Sequence, residues 1–139
     1  MFTHPVPSIV VTTTLSATTI AVSAGRDAVT IVLGGHKDFT VSLLAEDVVE
    51  LMTAVAGGEI SYVACTHPVH GRLLLNARPT GDILLPAVQG RDTIGPCELS
   101  LTVPGQRTCR ALFDSEQALN LLQGLNTAWE LIDPTQPRG

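Results

Sequence analysis

The chain has 139 residues, of which 45% are hydrophobic and only 15% are charged, and its net charge is −5. Ordinary soluble domains carry roughly 25% charged residues, so much of this surface must be neutral. Lys37 is the only lysine, and this balance argues against a general electrostatic grip on a nucleic-acid backbone, which needs several cations on one face.

Targeting and redox signals are weak. No apolar run reaches the ~20 residues of a membrane span, and the N-terminus lacks the basic start and unbroken apolar core of a signal peptide. The cysteine count of three is odd, which fits a reducing compartment better than a disulfide framework. We therefore expect a cytoplasmic location, and a virion is also compatible with the sequence.

The pattern of apolar and polar residues predicts an α+β fold of mostly antiparallel sheets with two helices. Period-2 alternation predicts strands near 9–16, 18–24, 28–33 and 39–43, and a helix that ends at Gly57-Gly58. The same order follows, with strands near 59–66, 72–78, 83–88, 97–103 and 107–113 and a helix that stops before Pro134.

An internal repeat relates the two parts at an offset of 70. Segment 29–52 and segment 99–122 each alternate, break at a glycine, alternate again and switch to helical spacing. This predicts a duplicated hairpin and helix at 29–56 and 99–132. We expect one domain, 1–139, with halves of about 9–58 and 59–133 and a tail at 134–139.

The repeat also predicts a register. A three-residue loop at 104–106 pairs Leu101 with Cys109 and places the apolar side chains on one face, and the same logic gives 34–36 as the first loop. Asp114 and Gln117 form a capping-box pattern at the start of the second helix. Gly124, inside that helix, costs up to ~1 kcal/mol relative to alanine, which a closely packed partner would explain.

Over residues 9–133 this order of elements resembles the whirly and PUR-type folds, and also the actinobacterial SsgA-like sporulation proteins. In the whirly and PUR-type folds two such units combine and often bind single-stranded nucleic acid, so the resemblance implies that activity as one expectation. The pattern of aromatic and basic residues that those two families carry on the sheet is missing here.

The segment CTHPVHG, residues 65–71, contains the strongest candidates for metal binding: Cys65, His67 and His70. A structural zinc normally has four ligands from two paired spacings, and the sequence offers no second pair. The alternative is a turn whose geometry comes from proline and glycine. We favour the turn and predict no resident metal or cofactor.

No catalytic pattern is complete. The chain lacks a G-x-S-x-G elbow and a G-K-[ST] phosphate cradle, and Cys65 with a nearby histidine lacks an accompanying oxyanion arrangement. Cys97 and Cys109 lie too far apart in the predicted register for a disulfide, and we assign them to the core. We therefore predict that the protein is not an enzyme.

Two functional hypotheses remain, and the first is binding of single-stranded nucleic acid. Single-strand binders need aromatic platforms beside a basic groove. With Phe39, Phe113 and Trp129 assigned to the core, only Tyr62 and Phe2 are left as aromatic platforms. The candidate arginines for such a groove are Arg72, Arg78, Arg107 and Arg110.

The reading that we prefer is a non-enzymatic, homo-oligomeric protein that acts through protein contacts, with a long N-terminal arm and few lysines to guard its strand edges. A regulatory adaptor and a virus or phage structural component both fit it. Its expected partners are copies of itself and a further protein.

Overall fold

The computed structural model describes residues 3–10, 15–23, 25–80 and 94–132. The strands are β1 Thr3–Val10, β2 Leu15–Val22, β3 Val29–Val32, β4 Thr40–Leu43, β5 Ser61–His67, β6 Gly71–Pro79, β7 Cys97–Thr102 and β8 Thr108–Phe113. The helices are α1 Ala45–Gly57 and α2 Ser115–Ile132. None of the described helices is long and apolar enough to cross a membrane.

Within the described residues, eight strands form one antiparallel sheet in chain order, and β1 also pairs with β8, so the sheet closes on itself. This confirms the predicted α+β class with two helices. Because all neighbours are antiparallel, β4 ends and β5 begins at the same end of the sheet, and α1 joins them there. Since β8 ends there too, α2 starts at that end, and the two helices pack against each other.

The predicted duplication is present. Four strands followed by a helix occur twice, and α1 and α2 start at an offset of 70. Ser42 of β4 pairs with Thr66 of β5, and its equivalent at an offset of 70, Leu112 of β8, pairs with Ile9 of β1. The first strands of the two halves, β1 and β5, are therefore related at an offset of 57. The helices are exchanged, because α1 packs mainly on β5 and β6 whereas α2 packs mainly on β1 and β2.

The core combines the inward side chains of the sheet with one stripe on each helix. In α2 the predicted apolar residues Ala118, Leu121, Leu125 and Ile132 are buried at helical spacing, together with Ala128, whereas Leu122 is only partly buried. Fully burying a leucine contributes about 1.5–3 kcal/mol. Phe39, Phe113, Cys97 and Cys109 are buried as expected, whereas Trp129 packs against the core and remains partly exposed.

Both helix-end predictions are confirmed. At the start of α2, Gln117 N donates to Asp114 Oδ1 at 2.8 Å and Asp114 N donates to Gln117 Oε1 at 2.9 Å, which completes the capping box. At the end of α1, Gly58 takes the left-handed conformation, with φ 64°, that glycine adopts without steric cost.

Gly124, inside α2, is closely approached by another side chain, as we expected from a glycine within a helix. A Cβ built on Gly124 would lie 3.0 Å from His4 Nε2 and 2.8 Å from His4 Cγ. The same ring nitrogen lies 2.9 Å from Asn120 Oδ1 and 3.1 Å from Asn120 O. Gly124 therefore makes room for a histidine of β1 that is hydrogen-bonded to α2.

The register prediction is right for one hairpin and wrong for the other. Leu101 pairs with Cys109, as predicted, but Val29 pairs with Leu43 instead of Val41. Two 3-10 turns, Leu33–Gly35 and Lys37–Phe39, replace the expected three-residue loop. The shift is by two residues, so the apolar residues keep their face.

The N-terminal prediction is also wrong. The first strand is Thr3–Val10 instead of 9–16, and it pairs with β2 along most of its length, so this segment is part of the sheet and not a free arm. Pro5 and Pro7 are tolerated because β1 pairs with β8 only at its far end. The strand predicted at 83–88 lies outside the described residues.

Candidate functional site

The histidine at the centre of CTHPVHG is a structural residue of the turn. His67 is buried, and its Nδ1 accepts from the backbone N–H groups of Val69, at 3.0 Å, and His70, at 3.2 Å. The ring proton is therefore on Nε2, which donates to Asp38 O at 2.9 Å. Both ring nitrogens are occupied, so His67 has no lone pair free for a metal.

The neighbouring thiol is equally unsuited to metal binding or nucleophilic attack. Burial, followed by the charge of Asp47, raises the pKa of Cys65 to about 11, so the thiol stays protonated at neutral pH. Within the part of the chain that the structure describes, no three His, Cys, Asp or Glu side chains converge to hold a metal. Residues 68–70 form the turn between β5 and β6, and the structure does not bring Cys65, His67 and His70 together as ligands.

A second group of side chains lies on the outer surface of the sheet. We call the outward-pointing residues of β5–β8 the second-half face. The strand register aligns Tyr62, Asn76, Ser100 and Arg110 in one row across the four strands. The next row contains Arg78 and Glu98. Three of the four candidate arginines, Arg72, Arg78 and Arg110, lie on this face. Two of them, Arg78 and Arg110, are neighbours of one carboxylate.

Glu98 joins these two arginines. Arg110 Nη2 donates to Glu98 Oε1 at 2.8 Å and Arg110 Nε donates to Oε2 at 3.2 Å, while Arg78 Nε lies 3.3 Å from Oε2. The carboxylate side chain is only 4% exposed, although the arginines are 48% and 41% exposed. Burial acts to raise the pKa of Glu98, but the hydrogen bonds and charges of both arginines outweigh it and lower the pKa below its usual value.

Large apolar side chains are exposed beside this network. Tyr62 is 60% exposed, Leu74 is 56% exposed, and Ile60, just before β5, is 66% exposed. Tyr62 pairs with Asn76 and Ala64 pairs with Leu74, so Tyr62 and Leu74 are diagonal neighbours, within reach of each other. They form an apolar strip along one hairpin.

Asn76 stands between the strip and the ion pairs. Its Oδ1 is buried and has no hydrogen-bond partner among the described residues. A buried acceptor without a partner costs about 1–3 kcal/mol. The row therefore contains a hydrogen-bonding group that the fold itself leaves unsatisfied.

The described strands of the first half carry no charged or aromatic residue at the positions equivalent to Tyr62, Arg78, Glu98 and Arg110. At the equivalent positions of β1–β4 the row reads Pro5, Thr19, Val32 and Thr40. Arg78 and Glu98 correspond to Ala21 and Thr30. Because two halves of one duplicated fold differ in this way, the fold alone does not require the charged and aromatic residues of the second-half face.

The other two candidate arginines, Arg72 and Arg107, make no ion pair with Glu98. Arg72 is at the opposite end of β6 from Arg78, roughly 20 Å away at ~3.3 Å per residue, and it lines a cavity of about 110 Å³ together with Asp47 and Cys65. Arg107 is exposed in the turn between β7 and β8. The sequence analysis did not identify Glu98. Its only sequence signal is that it is an acidic residue in CELSL, residues 97–101, whose other residues are apolar or small.

Comparisons with protein-family models, curated proteins and solved structures found no match for this chain. The site is therefore interpreted from its own geometry.

Proposed function

We propose that this protein is a non-enzymatic assembly protein that associates with copies of itself through the second-half face. The observation that carries the proposal is the strip formed by Ile60, Tyr62 and Leu74, each more than half exposed. The strip adjoins two arginines and an unsatisfied amide, a combination absent from the equivalent surface of the first half. Protein interfaces are enriched in tyrosine and arginine, and exposed apolar patches mark them.

Self-association is favoured by the shortage of groups that would oppose it. Lys37 is the only lysine of the chain, and it lies outside the described strands, so no lysine opposes contact between the outer sheet surfaces of two copies. The low charge content, 15%, acts in the same direction because surface charge keeps small domains monomeric.

Binding of single-stranded nucleic acid is the second candidate, and the row of Tyr62, Asn76 and Arg110 is the observation in its favour. Glu98 weighs against it, because it offsets one of the two positive charges of Arg78 and Arg110. Phosphate contacts require free cations. A salt-dependent rise in anisotropy of a labelled single strand, lost in Arg78→Gln, would favour this candidate over self-association.

A pair of matched variants tests the proposed surface. Tyr62→Ser/Leu74→Ser removes two exposed apolar side chains from the strip, and we expect the dissociation constant of the assembly to rise at least about tenfold, or ~1.4 kcal/mol. Sedimentation velocity over a range of concentrations measures it. Val69→Ser is the control, since Val69 is 80% exposed but lies in the β5–β6 turn. Equal association by both variants would contradict the proposal.

A further inference from the structure

The two helices carry charge of one sign only. Neither α1 nor α2 contains a lysine or an arginine, and together they contain five acidic residues: Glu46, Asp47, Glu50, Glu116 and Glu130. Both helices are at the same end of the sheet and pack against each other, so their exposed sides form one surface. We call this surface, defined by the exposed residues of α1 and α2, the helix face.

The helix face also exposes apolar side chains in equivalent places on both helices. Val49 is 43% exposed and Leu119 is 45% exposed, and they are related by the offset of 70. Each follows an exposed glutamate by three positions, Glu46 in α1 and Glu116 in α2. Residues three apart are neighbours on a helix surface, so each helix presents an acidic and an apolar side chain together.

The second-half face has the opposite charge. Its outward residues include Arg72, Arg78 and Arg110 against one carboxylate, Glu98. Two such faces in contact would bring arginines against arginines, and like-charge contacts disfavour an interface. A second-half face against a helix face would bring arginines to glutamates and Tyr62 and Leu74 to Val49 and Leu119.

We infer that copies of this chain associate head to tail, with the second-half face of one copy on the helix face of the next. This inference rests on the proposed self-association and specifies its geometry. A contact between two different surfaces leaves one free surface of each kind at the two ends of a row of copies. Further copies therefore add until the rotation between successive copies closes a ring, or they form a fibre when it does not close.

Two variants, each defective in one surface, test this geometry. Tyr62→Ser/Leu74→Ser alters the second-half face, and Val49→Gln/Leu119→Gln alters the helix face with a residue that helices accept. We expect either variant alone to be largely monomeric. An equimolar mixture should form a dimer of twice 14.6 kDa and nothing larger, because each variant retains the surface that the other lacks. Light scattering measures the masses, circular dichroism verifies folding, and Val69→Ser is again the control.

The outcomes separate the inference from the proposal that it rests on. One outcome is that the second-half variant fails to assemble while the helix-face variant assembles as the wild type does. This outcome would overturn head-to-tail association and leave self-association standing. A mixture that remains monomeric would overturn it as well. A wild type that is monomeric at every concentration would overturn both.

Salt provides an independent readout. Attraction between arginines and glutamates is screened at high ionic strength, so the dissociation constant of the wild type should rise at least about tenfold between about 0.05 M and about 0.5 M salt. A dissociation constant that stays constant or falls would contradict the contact between oppositely charged surfaces.

Discussion

Glu98 shows how a single residue organises the candidate surface. A nearly buried carboxylate is unfavourable unless it is paired and hydrogen-bonded, and Arg110 and Arg78 provide both kinds of contact. Because the arginines hold the pKa of Glu98 below its usual value, ionised Glu98 stabilises the folded state. That contribution is complete above the pKa of the unfolded chain, about 4.3, and is lost as the pH falls through the lowered folded pKa.

We therefore predict that Glu98→Gln lowers the free energy of unfolding by about 1–3 kcal/mol at pH 7. The difference from the wild type should shrink below about pH 4.3, because protonated Glu98 is neutral, as glutamine is. Denaturant unfolding at several pH values measures it, with Glu59→Gln as control, since Glu59 is exposed and lies outside both proposed contact surfaces. A difference independent of pH would contradict the assigned role of the charge.

At the scale of elements, each helix is attached to the first strand of the other half by an equivalent contact. His4 of β1 bonds to Asn120 of α2, and Ser61 of β5 donates to Glu50 of α1 at 3.0 Å. The strand positions are related by the offset of 57 and the helix positions by the offset of 70. The duplication therefore extends to the side chains that fix helices on strands, and Gly124 is the position that lets the larger ring of His4 fit.

Gly124→Ala should destabilise the protein by about 1–3 kcal/mol, since the new methyl group meets the ring of His4. In a His4→Ala background the same substitution should instead stabilise the protein by up to ~1 kcal/mol, because alanine is the better helix former. Thermal unfolding of the four proteins gives the coupling energy. Destabilisation of equal size in both backgrounds would show that the close approach is not the reason for the glycine.

At the scale of the whole molecule, the exchanged helices make the two halves interdependent. In the first half, the inner side of β1 and β2 is covered by α2, which belongs to the second half. In the second half, the inner side of β5 and β6 is covered by α1, which belongs to the first half. The buried apolar residues of both halves form a single cluster. A half on its own would therefore expose most of its apolar face to water.

Fragments 1–58 and 59–139, divided after the exposed Gly58, should each lack a cooperative unfolding transition. Mixed in equal amounts, they should recover the circular dichroism and the cooperative transition of the intact chain. Near-ultraviolet circular dichroism during heating is the measurement. Cooperative unfolding of either fragment alone would contradict the interdependence of the halves.

Periodicity was enough to predict the class, the helices and the duplicated order, because an apolar face recurs wherever an element meets the core. It failed at the β3–β4 connection, where Phe39 folds into the core after two 3-10 turns, since alternation does not determine how a turn is built. It also failed at β1, which starts at Thr3 instead of near residue 9, because alternation alone does not show where a strand begins to pair with its neighbour.

The candidate site was only partly predictable. The sequence singled out Arg78 and Arg110 and left Tyr62 exposed, as the structure has them. The predicted register of β7 and β8 already makes Arg110 a diagonal neighbour of Glu98. The sequence could not bring Arg78 to Glu98, because periodicity does not determine the register between β6 and β7.

For CTHPVHG, the favoured turn is explained by the hydrogen bonds that Val69 N and His70 N donate to His67. The sequence could not show the contact of His67 with Asp38, which links residues 29 positions apart.

The most direct test of self-association is the absolute mass of the wild-type chain in solution, measured by light scattering over a wide range of concentration. We expect a defined multimer, well above 14.6 kDa, that persists on dilution and dissociates in Tyr62→Ser/Leu74→Ser. A mass of 14.6 kDa at every concentration would contradict self-association.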